Sequence, residues 1–478
     1  MRPFIQLFRT PRGQYVYDVN KSELLPITED SFTFLQKCMD GTANVAESGL
    51  DEIKALISTG YLKTQSAVKD ICHPYIPYLK QFLNRKISKI TLQVTQSCNL
   101  RCKYCIYSED INQYQRSHSN KRMSIETAKK AIEFLYDHSV DSESVNIGFY
   151  GGEPLLELPL IKQAVQYARN LFDGKKITFA ITTNGTLLTS EAITYLAAED
   201  ISLTISLDGP KQIHDKCRVF EDGRGSFDIL MNNIDMMRRL APEYYKKLQF
   251  SMVMDPANDF DCINDITVAA NDFNDHSFLA SIVEREANNQ VLYSEDYIWK
   301  SEYHHFLALL SVIGRFPNEE VSALSKRAVG SLFNDSKFAH MFGPLHPTDA
   351  PSGPCIPGQM RLFINAEGSF FPCERVSEQS KVMCIGSLDK GFDTAKAKKI
   401  LDVGSITKEI CRNCWSFRYC MLCAKRADDG GECLSPKRKL ANCENVRAST
   451  YEKLRKLLLL NEIDLYYSTQ AREKEGVM

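Results

Sequence analysis

Cysteine has the most chemistry to offer in this chain, because its thiolate is both a nucleophile and a metal ligand. Of the 16 cysteines, three lie within Cys98 to Cys105 and nine within Cys355 to Cys443, which leaves Cys38, Cys72, Cys217 and Cys262 scattered. The first group reads Cys98-Asn99-Leu100-Arg101-Cys102-Lys103-Tyr104-Cys105. An iron–sulfur cube normally takes four cysteines, so three would leave one iron open to an external ligand, by the logic that gives catalytic metals an unfilled position. A zinc site or three buried thiols are the alternatives; the place directly after a strand and the lack of a fourth Cys or His nearby weigh against both. The second group sets Cys355 and Cys373 around Gly368, then Cys384, then Cys411-x2-Cys414-x5-Cys420-x2-Cys423, and finally Cys433 and Cys443. Zinc ribbons space their pairs about 15–20 residues apart and bacterial ferredoxin runs are tighter, so neither template fits. Cys384, in the apolar run Val382-Met383-Cys384-Ile385, reads as a buried thiol, and the four scattered cysteines read as core thiols.

The elements that must carry these groups follow from hydrophobic period. Six β-rich runs, Ile90 to Val94, Val145 to Tyr150, Ile177 to Ile181, Ile201 to Leu207, Leu248 to Met254 and Phe278 to Val283, alternate with amphipathic helices. One helix starts at Ser124 and stripes Ala128, Ile132 and Leu135 on one face. Such alternation predicts an α/β fold with a parallel sheet, here a partial (β/α)6 barrel whose chemistry sits in the loops after the strands. Those loops hold Cys98 to Cys105, then Tyr150-Gly151-Gly152-Glu153-Pro154, Thr183-Asn184-Gly185, and Ser206-Leu207-Asp208-Gly209, followed by Arg218. Each alone is a weak signal, since Gly-Gly and Asn-Gly are ordinary turns. The organisation expected is a small module at 1–85, the barrel at 86–285, a helical linker at 286–345 and a loop-rich, cysteine-rich domain at 346–478. In the first module, Phe4 to Phe8 and Tyr15 to Val19 alternate as a hairpin, and Thr28 opens a helix.

Composition excludes several classes. With 44% hydrophobic and 25% charged residues the chain can bury a core, and 58 basic against 60 acidic residues leave no field that would draw it to nucleic acid or an anionic membrane. The ends hold no apolar run long enough for a signal peptide or a membrane span, so a cytoplasmic protein is expected. Cysteines there point to metal or redox chemistry rather than disulfides.

The Cys98, Cys102 and Cys105 spacing, with the four segments after it, resembles the radical S-adenosylmethionine (SAM) enzymes. That resemblance implies a 4Fe–4S cluster on the three thiolates, with Tyr104 in the same loop, and SAM on the open iron. It assigns Gly151, Gly152 and Glu153 to the SAM amino group, Thr183, Asn184, Ser206 and Asp208 to its ribose side, and Arg218 to its carboxylate. The second cysteine group resembles the SPASM domain of peptide-modifying relatives, which implies two auxiliary 4Fe–4S clusters and three in all. On that template Cys411, Cys414, Cys420 and Cys443 hold one; Cys355, Cys373 and Cys423 hold the other, with Cys433, Cys384 or no residue as its fourth ligand. Glu374 stands where sulfatase-maturing relatives carry an aspartate base; a salt bridge to Arg375 or plain exposure is the other reading. Residues 1–85 resemble the winged-helix leader-recognition elements of ribosomal peptide biosynthesis. The local wording Cys411-Arg412-Asn413-Cys414-Trp415 is most similar to maturases of Cys-rich peptides, the ranthipeptides of freyrasin type. What this implies is thioether crosslinking of a Cys-rich precursor with a leader, fed by an external flavodoxin- or ferredoxin-type electron donor. Formylglycine formation, carbon–carbon crosslinking and a non-catalytic iron–sulfur redox sensor are the alternatives.

Overall fold

The computed structural model describes residues 1–105, 118–268, 273, 275–283, 292–339, 343–351 and 353–474. The chain opens on an antiparallel sheet of β1 (Ile5–Arg9), β2 (Gln14–Asp18) and β3 (Glu23–Ile27), in that spatial order. Strand alternation sends Leu7 and Val16 to one face and Phe8 and Tyr17 to the other, and both faces are buried. Leu7 and Val16 pack on Leu35 and Cys38 of α1 (Glu29–Asp40) and Ile53 of α2 (Asp51–Ser58). The start of α1 lies where the sequence put it, since the Thr28 side chain accepts from Ser31 N. The other face, Phe8 and Tyr17, joins Leu454, Leu457 and Leu458 near the C-terminus, and the Phe8 ring stacks on Tyr451 at 4.7 Å. β3 was not expected, because Glu23 and Pro26 break its apolar alternation; it takes the edge of the sheet, where proline is tolerated. A short parallel pair, β4 (Asp70–Ile71) with β11 (Thr348–Asp349), ties this module again to the second half of the chain.

After α3 (Leu79–Arg85) come six parallel strands, each paired with the next: β5 (Lys89–Thr95), β6 (Ser144–Gly151), β7 (Lys176–Thr183), β8 (Ser202–Ser206), β9 (Gln249–Met254) and β10 (Ser277–Ile282). They are the six runs read from the sequence, with ends moved by one or two residues. Between them lie α4 (Ile125–His138), α5 (Leu158–Leu171), α6 (Ser190–Ala198), α7 (Lys211–Cys217), α8 (Phe227–Leu240), α9 (Pro242–Tyr245) and α10 (Phe260–Asn264). Ser124 caps α4, whose Ala128, Ile132 and Leu135 are buried as their spacing requires.

The sheet does not end at β5. β12 (Leu362–Ile364) runs parallel beside it, with Leu362 opposite Ile90, and β13 (Ser369–Phe371), β14 (Gly386–Ser387) and β15 (Gly391–Phe392) continue antiparallel to make ten strands. Fully buried Phe363, Phe370 and Phe371 join the same core as the parallel strands. The cysteine-rich region is thereby built onto the large sheet rather than hung from it. Helices α11 (Glu295–Val312) and α12 (Ala323–Ala339) occupy much of the stretch read as a linker, yet they pack: Tyr297 meets Phe260 at 5.4 Å, and Ala323 and Leu324 enter the main core. The C-terminal region adds α13 (Thr394–Leu401), α14 (Lys408–Cys411), α15 (Pro436–Leu440) and α16 (Cys443–Lys474). α16 was expected from Tyr451 but begins at Cys443 itself. Among the described residues no helix is long and apolar enough to cross a membrane.

Candidate active site

The loop after β5 carries the first three thiols. Its backbone is pinned to the last residue of α7 by Lys103 N to Cys217 O at 3.1 Å and to the segment just beyond by Arg101 N to Val219 O at 2.7 Å. Cys102 is buried and Cys98 and Cys105 are half-buried. Burial pushes Cys98 up to about 12, helped by the charges of Glu153 and Cys105. Cys102 is likewise pushed up to about 12 by burial, and Cys105 and Cys98 add to it. The three thiols are therefore close enough to oppose one another's ionisation. Leu100 N donates to Cys98 Sγ at 3.4 Å, and Asn184 Nδ2 reaches it at 3.9 Å.

The later loops hold this one in place. Gly151 has φ +144°, and a Cβ on it would sit 2.1 Å from Thr95 O; a Cβ on Gly152 would sit 2.1 Å from Ser97 O. These glycines let the backbone of β6 approach the root of the cysteine loop, where Gly152 N bonds Thr95 O at 2.8 Å and Glu153 N bonds Ser97 O at 2.9 Å. Glu153 is fully buried and accepts from Thr183 Oγ1 at 2.6 Å, Asn184 N at 2.8 Å and Leu155 N at 3.0 Å. Burial raises its carboxyl above the usual range despite those donors. Asn184 also donates to Asn99 Oδ1 at 2.9 Å, so the third loop grips the first directly. Ser206 ends β8 opposite Ser251.

Asp208 and Arg218 form a buried ion pair, Nε to Oδ2 at 2.8 Å and Nη2 to Oδ1 at 3.2 Å. The Tyr104 hydroxyl donates to the same Asp208 Oδ2, and the Arg218 guanidinium lies 5.4 Å over the Tyr104 ring. Two residues missed in the sequence complete the network. His214 Nδ1 accepts from Asp208 N at 3.4 Å, its Nε2 lies 3.0 Å from Ser226 Oγ, and Ser226 Oγ donates to Arg218 O at 2.8 Å. Burial and the Arg218 charge hold His214 down at about 3, so it is a neutral bridge with its proton on Nε2. The only signal in the sequence was a His four residues before the Arg, on one helix face.

The second cysteine group divides. Cys420 is pushed up to about 11 by burial and by Cys411 and Cys414, and Cys443 rises through burial and the same two neighbours. Cys411 and Cys414 thus stand near enough to Cys420 and to Cys443 to oppose the ionisation of each. Cys373 is raised by burial, then by its neighbour Glu374 and, more weakly, by the charge of Cys423. Cys355 and Cys433 are exposed, and half-buried Cys384 packs against the core with its Sγ 3.6 Å from Gly386 O. Cys38 is buried as read, Cys72 and Cys217 are half-buried, and Cys262 is exposed, a departure from the core reading because it faces out from α10. Glu374 pairs with Arg361, Nη2 to Oε1 at 2.6 Å, more closely than with Arg375 at 4.0 Å. Both Arg361 and Glu374 act on Lys89 at the start of β5. Thr95 lies six residues further along β5, or about 20 Å of strand, so Glu374 stands toward the end of β5 remote from the Cys98 loop. Among the described residues no three His, Cys, Asp or Glu side chains converge on a single-ion site.

The Radical SAM superfamily profile matches residues 92–267, the stretch that holds the three thiols and every loop that grips them. The chain carries a radical SAM domain. Over the radical SAM domain and beyond, the chain is 24% identical across 370 residues to the cysteine-type anaerobic sulfatase-maturating enzyme of Clostridium novyi, covering 70% of this chain and 87% of that one. It is 30% identical across 176 residues to the radical SAM cyclopropyl synthase TigE of Paramaledivibacter caminithermalis, covering 34% of this chain and 36% of that one. An uncharacterized protein of Methanocaldococcus jannaschii is 36% identical over 137 residues, or 29% of this chain, and the chain spans 44% of its length. The chain spans 35% of the serine-type anaerobic sulfatase-maturating enzyme of Bacteroides thetaiotaomicron, which is 33% identical over 148 residues, 31% of this chain. Among solved structures, anSMEcpe with bound AdoMet superposes with a TM-score of 0.57 at 18% identity, over 78% of this chain and 99% of that one, which shows a shared fold.

The donor set of the radical SAM domain fits an iron–sulfur cluster. Buried thiols that burial and mutual repulsion keep protonated gain, as ligands of a cationic cluster, the stabilisation they lack as free thiolates. Arg218, beside Cys102, brings a guanidinium to the same place for an anionic ligand.

Proposed function

We propose that this protein is a radical SAM maturase that forms thioether crosslinks, cysteine sulfur to carbon, in a ribosomally made Cys-rich precursor peptide. The observation that carries the reading is the presence, in one chain, of the Cys98–Cys105 loop at the end of the first parallel strand and of a second set, Cys411, Cys414, Cys420 and Cys443, in the helices and loops that follow the last strand of that sheet. Hydrogen abstraction alone needs only the first; an oxidative crosslink must also dispose of an electron, which calls for a second redox site. When bound, the cluster on Cys98, Cys102 and Cys105 with SAM supplies a carbon radical that removes a hydrogen atom from the peptide. The remaining cysteines would hold two auxiliary 4Fe–4S clusters in the sets given above, with Cys433 as the candidate fourth ligand beside Cys355, Cys373 and Cys423.

The chain's own residues bind and orient. Gly152, Glu153 and Asn184 fix the cysteine loop through the bonds to Thr95, Ser97 and Asn99. Arg218 commits its Nε–H and one Nη2–H to Asp208, and its other N–H groups are left for the SAM carboxylate. Gly151 and Gly152 would face the SAM amino group, and Thr183, Asn184 and Ser206 its ribose. Glu374, ion-paired with Arg361 toward the end of β5 remote from the Cys98 loop, fits the salt-bridge reading of its position better than the role of base for a substrate cysteine. The edge strand β3 offers a leader peptide main-chain pairing, and a flavodoxin- or ferredoxin-type donor would supply electrons.

The likeness to cysteine-type sulfatase maturases favours one rival, formylglycine formation on a protein substrate. Anaerobic reconstitution tests the cofactor assignment first: about 12 iron per chain is expected for three cubes. Cys98→Ala/Cys102→Ala/Cys105→Ala should abolish deoxyadenosine formation while keeping about two thirds of that iron. SAM cleavage by the triple variant would overturn the assignment.

A further inference from the structure

Lys439 is 2% exposed, and a lysine is almost never buried so fully without a partner for its charge. It sits on α15, where Ser435 caps the helix by accepting from Arg438 N; Lys437 points to solvent while Lys439 turns inward. Its Nζ donates to Thr407 Oγ1 at 2.6 Å and to Cys411 Sγ at 3.3 Å, and Thr407 Oγ1 lies 3.1 Å from the same sulfur. Among the described residues no carboxylate lies within ion-pair distance of Nζ. The surroundings are apolar: Leu401, Val403, Leu422 and Pro351 line a small pocket with Lys439 and Cys420. A lysine buried with no acid beside it among the described residues calls for an anion from elsewhere, and the Cys411 sulfur that its Nζ reaches, with Cys420 lining the same pocket, belongs to the set of thiols that can supply one.

We infer that Lys439 is the fixed counter-charge of the Cys411, Cys414, Cys420 and Cys443 site and raises the reduction potential of the cluster held there. The inference rests on the reading of those cysteines as cluster ligands. Potentials of such clusters are set by net charge, by hydrogen bonds to the sulfurs and by exposure, and Lys439 acts on the first two at once. Each one-electron reduction makes the site more negative, and a fixed positive charge in a dry setting favours the more negative form. Lys439 is thus a positioning residue for electron acceptance: it donates to a ligand sulfur and biases the site toward taking the electron that crosslinking releases.

The test is a redox titration followed by electron paramagnetic resonance on the full, anaerobically reconstituted chain, comparing parent, Lys439→Met and Lys439→Arg. Lys439→Met should lower one midpoint so that, at fixed potential, the reduced-to-oxidised ratio falls about tenfold, or 59 mV for one electron. Lys439→Arg should keep the parent value. The same Lys439→Met change made together with Cys411→Ala/Cys414→Ala should leave the remaining midpoints alone. Unchanged midpoints in Lys439→Met at full iron content overturn the inference. If Lys439→Met fails to load the site, retention of iron by Lys439→Arg supports the counter-charge, and loss in both variants counts against it. Failure of the underlying reading is distinguishable: Cys411→Ala/Cys414→Ala would then cost no iron, instead of about four atoms per chain, and the inference would fall with it.

Discussion

Replacing Asp208 with Asn probes the network that fixes the cysteine loop. Asp208 is 3% exposed and Arg218 8%, and the fork between them has N···O distances of 2.8 and 3.2 Å. The Asn amide keeps an acceptor for Val253 N, which bonds Asp208 Oδ1 at 3.0 Å, but then turns its own donors toward the guanidinium and leaves that charge unpaired. Removing one partner of a buried pair costs about 3–5 kcal/mol. At about 1.4 kcal/mol per tenfold, the lower figure is a local opening roughly a hundred times more frequent. The assay is hydrogen exchange with mass spectrometry on the full chain, reading peptides that contain Arg101 and Lys103, whose amides bond Val219 and Cys217. In Asp208→Asn those amides should exchange about a hundredfold faster. Adding Arg218→Met should recover much of the protection, since removing both charges leaves nothing unpaired. Unchanged exchange in Asp208→Asn, or a double variant no better than the single, would refute the claim that this pair holds the loop.

Gly152→Ala would place a methyl 2.1 Å from Ser97 O, so the cysteine loop must shift; iron bound by the first set should fall while the C-terminal sets stay loaded, as metal analysis of the domain-resolved variants would read. His214 is held at about 3 against an unfolded value near 6.5, so between those limits the unfolded chain binds the extra proton and stability is lost as pH falls, by about 1.4 kcal/mol per pH unit. Urea midpoints of apo-protein across that window should be flatter in His214→Gln. Phe8→Ala, at a fully buried ring stacked on Tyr451, should cost about 3–5 kcal/mol and lower the melting temperature of the C-terminal region as well as of the first sheet.

The parallel strands were legible because each is a short β-rich run bounded by helical periodicity, and Ser124 and Thr28 marked their helices through capping chemistry. β3 and β12 were not. Glu23 and Pro26 hide the first, and the three residues of β12 make a strand only because Leu362 finds Ile90 across more than 270 residues of chain, a pairing no local pattern encodes. The same limit applies at the site. The three thiols stood out by type and spacing, and Glu153, Asp208 and Arg218 through the family resemblance, whereas their partners did not: Arg361 engages Glu374 more closely than Arg375 does, His214 bridges Asp208 to Ser226, and Lys439 turns into the core. Each of those depends on which side of a short helix or strand faces inward. The Gly151-Gly152 pair reads as an ordinary turn, and what requires glycine there is the close approach of the backbone of Thr95 and Ser97.

The central claim is the thioether. A short Cys-rich peptide carrying a leader would be incubated anaerobically with the reconstituted protein, SAM and reductant, then alkylated and sequenced by mass spectrometry. The account predicts a loss of two hydrogen atoms per crosslink, cysteines that resist alkylation, and deuterium from the attacked acceptor carbon in the deoxyadenosine formed. Full recovery of every cysteine as an alkylated thiol, with the mass change located elsewhere in the peptide, would contradict it.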